Sequence, residues 1–176
     1  MIPSWRWLLI LAWLAVLAMT AHRRLDVWQN EETLWADAAA KAPLKPRPVL
    51  NLGRVHELRG DLGFAEQSYR DVIHLASDRR RGDWQFAKAA AESNLAHVFI
   101  KQGRFASAMT VIEHGLFEFP AFPYLHYNRG AILWQHGACD DAQRDLTTAR
   151  ASDPNLAEYP EPCGLLRSRS SSSLPD

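Results

Sequence analysis

A chain of 176 residues, 47% of them hydrophobic, is long enough to bury one core and gives no length argument for more than one domain. Its 20 basic and 20 acidic residues cancel, so composition supplies neither the basic footprint of a nucleic-acid binder nor an acidic tail. Only two cysteines occur, Cys139 and Cys163, in no metal-ligand spacing. Two free thiols are expected; a disulfide between them is the reading for an oxidising compartment.

Residues 1–24, MIPSWRWLLILAWLAVLAMTAHRR, are uncharged from Trp7 to Ala21 and reach bilayer length with Arg6 snorkelling at the edge. Three readings compete: a membrane anchor, a signal peptide cut near Ala18 or Ala21, and a core helix. Trp5, Trp7 and Trp13 suit a membrane interface, and no side of the segment is polar as a core helix requires. An anchor at 1–24 is therefore expected. Arg23, Arg24 and Lys41 outnumber Arg6, which tilts the charge count toward a cytoplasmic carboxyl side.

Residues 25–45 continue as a helical pattern, with Trp28, Leu34, Trp35 and Ala38 on one face and Glu31 and Glu32 near the start. Beyond them one separation recurs. Gly103 and Gly137, Ala108 and Ala142, Pro120 and Pro154, and Asn94 and Asn128 all stand 34 residues apart. Asn51, Gly60 and Ala65 precede Asn94, Gly103 and Ala108 by 43, one period plus an insertion. In a helix–turn–helix unit the glycine ends the first helix, the alanine lets the second approach, and the proline stops it.

This pattern resembles the tetratricopeptide repeat (TPR) family. The landmarks read Leu52, Gly53, His56, Ala65 and Tyr69 in the first repeat; Leu95, Ala96, Phe99, Ala108, Ile112 and Pro120 in the second; and Gly130, Leu133, Ala142, Leu146 and Pro154 in the third. Departures are the missing first tryptophan, Ser77 in place of a proline, and Arg129 where leucine is usual. The resemblance implies an all-α chain: a transmembrane helix, then an α-solenoid of antiparallel helix pairs. The repeat domain spans 46–154, as repeats 46–77, 89–120 and 123–154 with an insertion at 78–88. By the same register, Pro43 stands where the other repeats have proline, so 25–45 reads as a half repeat capping the stack.

The run of hydrophobic helix, Arg23-Arg24, Trp28, Glu31-Glu32, Leu34-Trp35, Pro43, Arg47 and Asn51-Leu52-Gly53 is also similar to a junction in membrane glycosyltransferases of the O-mannosyltransferase-like type. There the last transmembrane helix leads into tetratricopeptide repeats on the lumenal or periplasmic side. The resemblance covers about the first 55 residues and implies a single-pass protein of the bacterial inner membrane with periplasmic repeats. The multi-pass catalytic portion of that family is absent from this sequence, so no glycosyl-transfer role attaches to any residue.

In the insertion, Asp83 is expected as a cap and Trp84 to Ala91 as two added turns on the next helix. Arg79 to Arg81 read as a solvated loop. The tail, 155–176, is broken by Pro160 and Pro162 and ends in RSRSSSSLPD, a disordered composition. On this reading the stack lacks a polar capping helix, which leaves its third repeat open to self-association.

The resemblance implies a concave groove lined by the first helices and assigns the partner-binding set Arg47, Asn51, Arg54, Asn94, His97, Lys101, Tyr124, Tyr127, Asn128 and Trp134. The three asparagines share one repeat position, where an amide offers a donor and an acceptor to a peptide backbone. No catalytic or metal constellation is read: the seven histidines have no metal-ligand spacing, Asp140-Asp141 reads as a helix cap, and no cofactor motif follows a strand. The expected function is a membrane-anchored, non-enzymatic module that binds a protein or peptide segment. Its alternatives are a separated accessory segment of a membrane glycosyltransferase and a secreted repeat module.

Overall fold

The computed structural model describes residues 4–77, 82–157 and 163. Among these the chain is helical without strands: α1 (Ser4–Val27), α2 (Glu31–Lys41), α3 (Pro46–Arg59), α4 (Leu62–Ala76), α5 (Gly82–Lys101), α6 (Phe105–Glu118), α7 (Pro123–Gln135) and α8 (Cys139–Ser152).

The first helix is long and apolar enough, from Trp5 to Val27, to cross a membrane, and its described side chains up to Asp26 are all exposed. Its carboxyl end is tied to α2 by two contacts. Thr33 Oγ1 donates to the Val27 carbonyl at 2.9 Å, and Arg24 lies 3.7 Å from Asp37. Asn30 starts α2 by accepting from the Thr33 amide at 3.0 Å, satisfying one of the free amides of the first turn. Trp28 stands ahead of that cap and is exposed, so it does not join the packed face that the helical pattern assigned to it. Leu34, Trp35 and Ala38 are half-buried, as befits a helix covered on one side by α3.

From α2 onward each helix packs on the next, and α3 and α7 each pack on α5 as well. The helices α4, α6 and α8 do not pack on one another, although Arg104, at the cap of α6, donates to Glu66 of α4 at 3.0 Å. The result is two layers, a close inner one of α3, α5 and α7 and a splayed outer one.

The turns between the paired helices carry the geometry that glycine permits. Gly60, Gly103 and Gly137 have φ of 85°, 71° and 80°. After each, the next residue's amide reaches back to the carbonyl five residues earlier: Asp61 to His56, Arg104 to Phe99 and Ala138 to Leu133. Otherwise unpaired carbonyls at the helix end are thereby satisfied. Close approach within a pair is visible at Gly53, where a Cβ would stand 2.8 Å from the Tyr69 ring. Ala65, Ala108 and Ala142 are fully buried at the facing positions. Tyr69, Val72, Phe99, Ile112 and Leu125 fill the core between pairs.

Three local expectations change. The fifth helix begins at Gly82, which places Asp83 inside its first turn instead of at the cap. The eighth begins at Cys139, and Asp140 and Asp141 lie in its first turn, where carboxylates still favour the amino end of the helix. Cys139 and Cys163 are not free thiols: they form a disulfide with Cα atoms 6.0 Å apart. Spacing alone could not show that residue 163 returns to the start of α8. The exposed side of α8 carries Gln143, Arg144, Thr147 and Thr148, so the last helix itself presents a polar face. Arg79 to Arg81, Pro160, Pro162 and the serine-rich end fall outside the described residues.

Candidate functional site

The inner layer presents one side chain stripe per helix. On α3, Arg47 and Arg54 are exposed and Leu50 and Asn51 half-buried. On α5, Phe86, His97 and Lys101 are exposed with Ala90 half-buried between them, a spacing of four, seven and four residues that keeps one helical face. On α7, Tyr124 is exposed at the start, but the stripe then sinks through Ala131 to Trp134, both buried.

At the centre of this surface Glu57 collects three donors. Tyr69 Oη donates at 2.9 Å, Lys101 Nζ at 2.9 Å, and His97 Nδ1 lies at 2.7 Å. Burial pushes the Glu57 carboxyl up, but hydrogen bonds from His97, Lys101 and Tyr69 outweigh it and hold the group down at about 2. Burial, with the adjacent carboxylate, drives the Tyr69 hydroxyl upward, so it stays a donor. Asn94, from α5, acts on the same hydroxyl in the opposite sense and lowers it in part. Two sequence-assigned residues, His97 and Lys101, are thus drawn together from α5 onto one carboxylate of α3.

The third repeat diverges from its expected role. Asn128 is buried and donates to the Ser93 carbonyl at 2.8 Å and to Ser93 Oγ at 3.1 Å, joining α7 to α5. Trp134 is only 7% exposed, packed with Ala142 and Leu146 and flanked by Tyr127, Leu133 and Cys163. The disulfide sets Cys163 against this face, with its sulfur 3.4 Å from the Trp134 carbonyl. Trp134 is therefore a core residue and not a groove contact, and Tyr127 packs beside it. Tyr124 donates to Asp153 at 2.8 Å.

Arg129, the residue that departs from the repeat pattern, has a partner that explains it. Its guanidinium makes two bonds to Asp145 on α8, at 2.6 and 2.7 Å, and His126 Nδ1 adds a third contact at 3.0 Å. Burial raises the Asp145 carboxyl, yet the bonds from Arg129 and His126 prevail and hold it below the usual carboxylate range.

A larger hollow lies at the other end. A cleft of 800 Å³ between α2, α3 and α5 is walled by Trp35, Pro46, Leu50 and Phe86, with Arg47 and Asn51 along it. Across the Phe86 ring lies a second apolar cleft of 370 Å³, formed with Ala89, Phe119, Pro120 and Phe122. The Phe86 and Phe122 rings meet edge-on with centroids 5.9 Å apart. Phe86 is absent from the sequence-assigned set because the repeat register begins after it. The signal was its spacing to Ala90, His97 and Lys101 within the helical insertion.

Among the described residues no three histidine, cysteine or carboxylate side chains converge as a metal site. His97, His114 and His126 instead face the carboxylates of Glu57, Glu92 and Asp145 respectively. Compared with protein-family models and with curated proteins, the chain matches none.

Proposed function

We propose that this chain is a membrane-anchored tetratricopeptide-type solenoid that holds an extended segment of a partner protein against its inner layer. The observation that carries the reading is the packing of α3 and α7 on α5 while α4, α6 and α8 stay apart. A layer that is close on one side and splayed on the other curves toward the close side, and curvature of this kind creates the concave surface such stacks use. On that surface stand Arg47, Arg54, His97 and Lys101, all exposed. Main-chain capture by side-chain amides and charged groups is a recurring mode of peptide recognition. Asn51 remains in the ligand-contacting set; Asn94 and Asn128 hold the fold.

The disulfide supports placing the repeats on the oxidising side of the membrane, since such bonds persist outside reducing cytoplasm. That side is also where the glycosyltransferase-like junction puts its repeats. The test is photo-crosslinking in intact cells with a benzophenone amino acid at Arg54 or Lys101, and at Gln67 or Thr110 on the outer helices as controls. One protein captured from both inner positions and from neither outer one supports the reading. Equal capture from inner and outer positions refutes it.

A further inference from the structure

Resting on that reading, we propose that the cleft between α2, α3 and α5 is the anchoring subsite, and that it takes an acidic partner segment seating bulky apolar side chains on either side of Phe86. Three features of the cleft carry this, and the fold requires none of them.

The first is Phe86 itself. It is 65% exposed and occupies the extra turns of α5, a 20-residue helix beside neighbours of 15 and 14. A phenylalanine left in water between two apolar hollows forgoes the stabilisation of burial, and such exposed patches mark contact surfaces. The second is shape. Cavities of 800 and 370 Å³ lie on opposite sides of that one ring. A segment crossing it places one side chain in each, as alternate side chains of an extended peptide do. Asn51, at the floor of the larger hollow, offers its amide to the backbone between them.

The third is charge. Lys45 and Arg47 stand at the cap and first turn of α3, both exposed, with no ion pair to either among the described residues, and that turn carries no acid. Cations at a helix amino end oppose the helix dipole, so these two work against the element that holds them. Carboxylates on the partner would reverse that penalty and set its direction along the cleft. Two acids stand nearby: Glu57, on the α3 stripe, is already satisfied by His97, Lys101 and Tyr69, and Asp83 lines the α5 side of the same cleft, where it has a contact of its own.

The experiment uses the full chain in zwitterionic lipid nanodiscs and three fluorescein-labelled synthetic peptides read by anisotropy. The first carries tryptophan and leucine at alternate positions among glutamates, the second the same apolar residues among lysines, the third alanines among glutamates. The first should bind with Kd of about 10–100 µM and the others at least about tenfold more weakly. Phe86→Asp should weaken the first by about tenfold or more. The double variant Lys45→Glu, Arg47→Glu should transfer preference to the lysine peptide, a gain that misfolding cannot mimic. Equal binding of all three peptides, or an unchanged preference in the charge-reversed variant, overturns the proposal. So does loss of peptide binding when anionic lipid replaces zwitterionic lipid, provided Phe86→Asp removes that competition, because the cleft would then be a lipid site. If crosslinks from Arg54 and Lys101 capture a partner while the acidic peptide fails, the groove reading stands and this subsite falls.

Discussion

The α3–α5 half of the inner layer and its α7 end are built from the same repeat positions, yet one is open and the other sealed. Asn51 lines a cleft, Asn94 faces a tyrosine hydroxyl, and Asn128 is buried against Ser93. Arg54 is exposed and Leu50 half-buried, whereas Ala131 and Trp134 are buried. The difference is that a stack needs closing where it ends. At the amino end α2 closes one face and leaves the α3 edge free; at the carboxyl end the seal comes from Cys163, pulled against Trp134 by the bond to Cys139. A repeat position is therefore a place on a helix, and its role depends on which element of the stack covers it.

The largest expected effect falls on the sealed end. Cys163→Ser removes a bond closing a loop of 24 residues and should cost about 2–4 kcal/mol in oxidising buffer, measured by urea denaturation. Its tryptophan emission should shift to the red as Trp134 becomes wet, while peptide binding at the α3 edge persists. Equal stability of variant and parent under oxidising conditions would show that residue 163 does not hold this end.

At the open half the polar centre replaces such a staple. Glu57 has a folded-state value of about 2 against an ordinary 4.5, so its contribution is fully present above pH 4.5 and fades as pH falls toward 2. Integrated, that is about 3.4 kcal/mol at pH 7, which solvent screening of this partly exposed group reduces to about 2–3 kcal/mol. Glu57→Gln should lose about this much at neutral pH and little at pH 2, so its acid unfolding limb flattens. An identical acid limb in variant and parent would mean that His97 and Lys101 do not act on this carboxylate.

Next come the two asparagines that mark the contrast. Asn128→Ala removes two buried bonds that join α7 to Ser93 of α5 and should cost about 1–2 kcal/mol without touching an exposed surface. Asn51→Ala should change stability by no more than about 0.5 kcal/mol but weaken capture of the partner. Reversed outcomes would exchange the roles of the two ends.

Helix existence and turn positions were legible because their causes are local. Glycine at the left-handed turns and alanine at the close contacts must recur wherever the unit recurs, and the 34-residue spacing is their imprint. What stayed hidden depends on partners distant in sequence. Arg129 looked like a flaw in the pattern until Asp145 appeared beside it, and Trp134 looked like a groove aromatic until Cys163 covered it. His97 and Lys101 are exposed side chains, as their register positions suggested, but their shared bond to Glu57, 40 and 44 residues earlier, has no sequence signature. Phe86 failed for another reason: the repeat register treated its helix as an insertion.

The remaining effect lies midway between the two ends, at the α5–α6 contact, and its sign is opposite to that of Glu57. Glu92 is 1% exposed; its Oε1 meets His114 Nδ1 at 2.9 Å, while its Oε2 has no hydrogen-bond partner among the described residues and lies against Gly115 and Leu125. Burial pushes this carboxyl above its ordinary value; His114 and Lys88 pull it back only in part, and Glu118 opposes them. Lys88 is committed elsewhere, to both oxygens of Glu118 at 2.8 and 2.6 Å. A carboxyl raised on folding contributes stability that is complete below its unfolded value of about 4.5 and is lost as pH rises through the folded one. Glu92→Gln keeps the acceptor for His114 and cannot ionise. Relative to the parent it should therefore gain stability as pH rises from 4.5 to 8, read as the difference of two urea titrations. A constant difference across that range would mean that burial at the α5–α6 contact does not raise the Glu92 carboxyl.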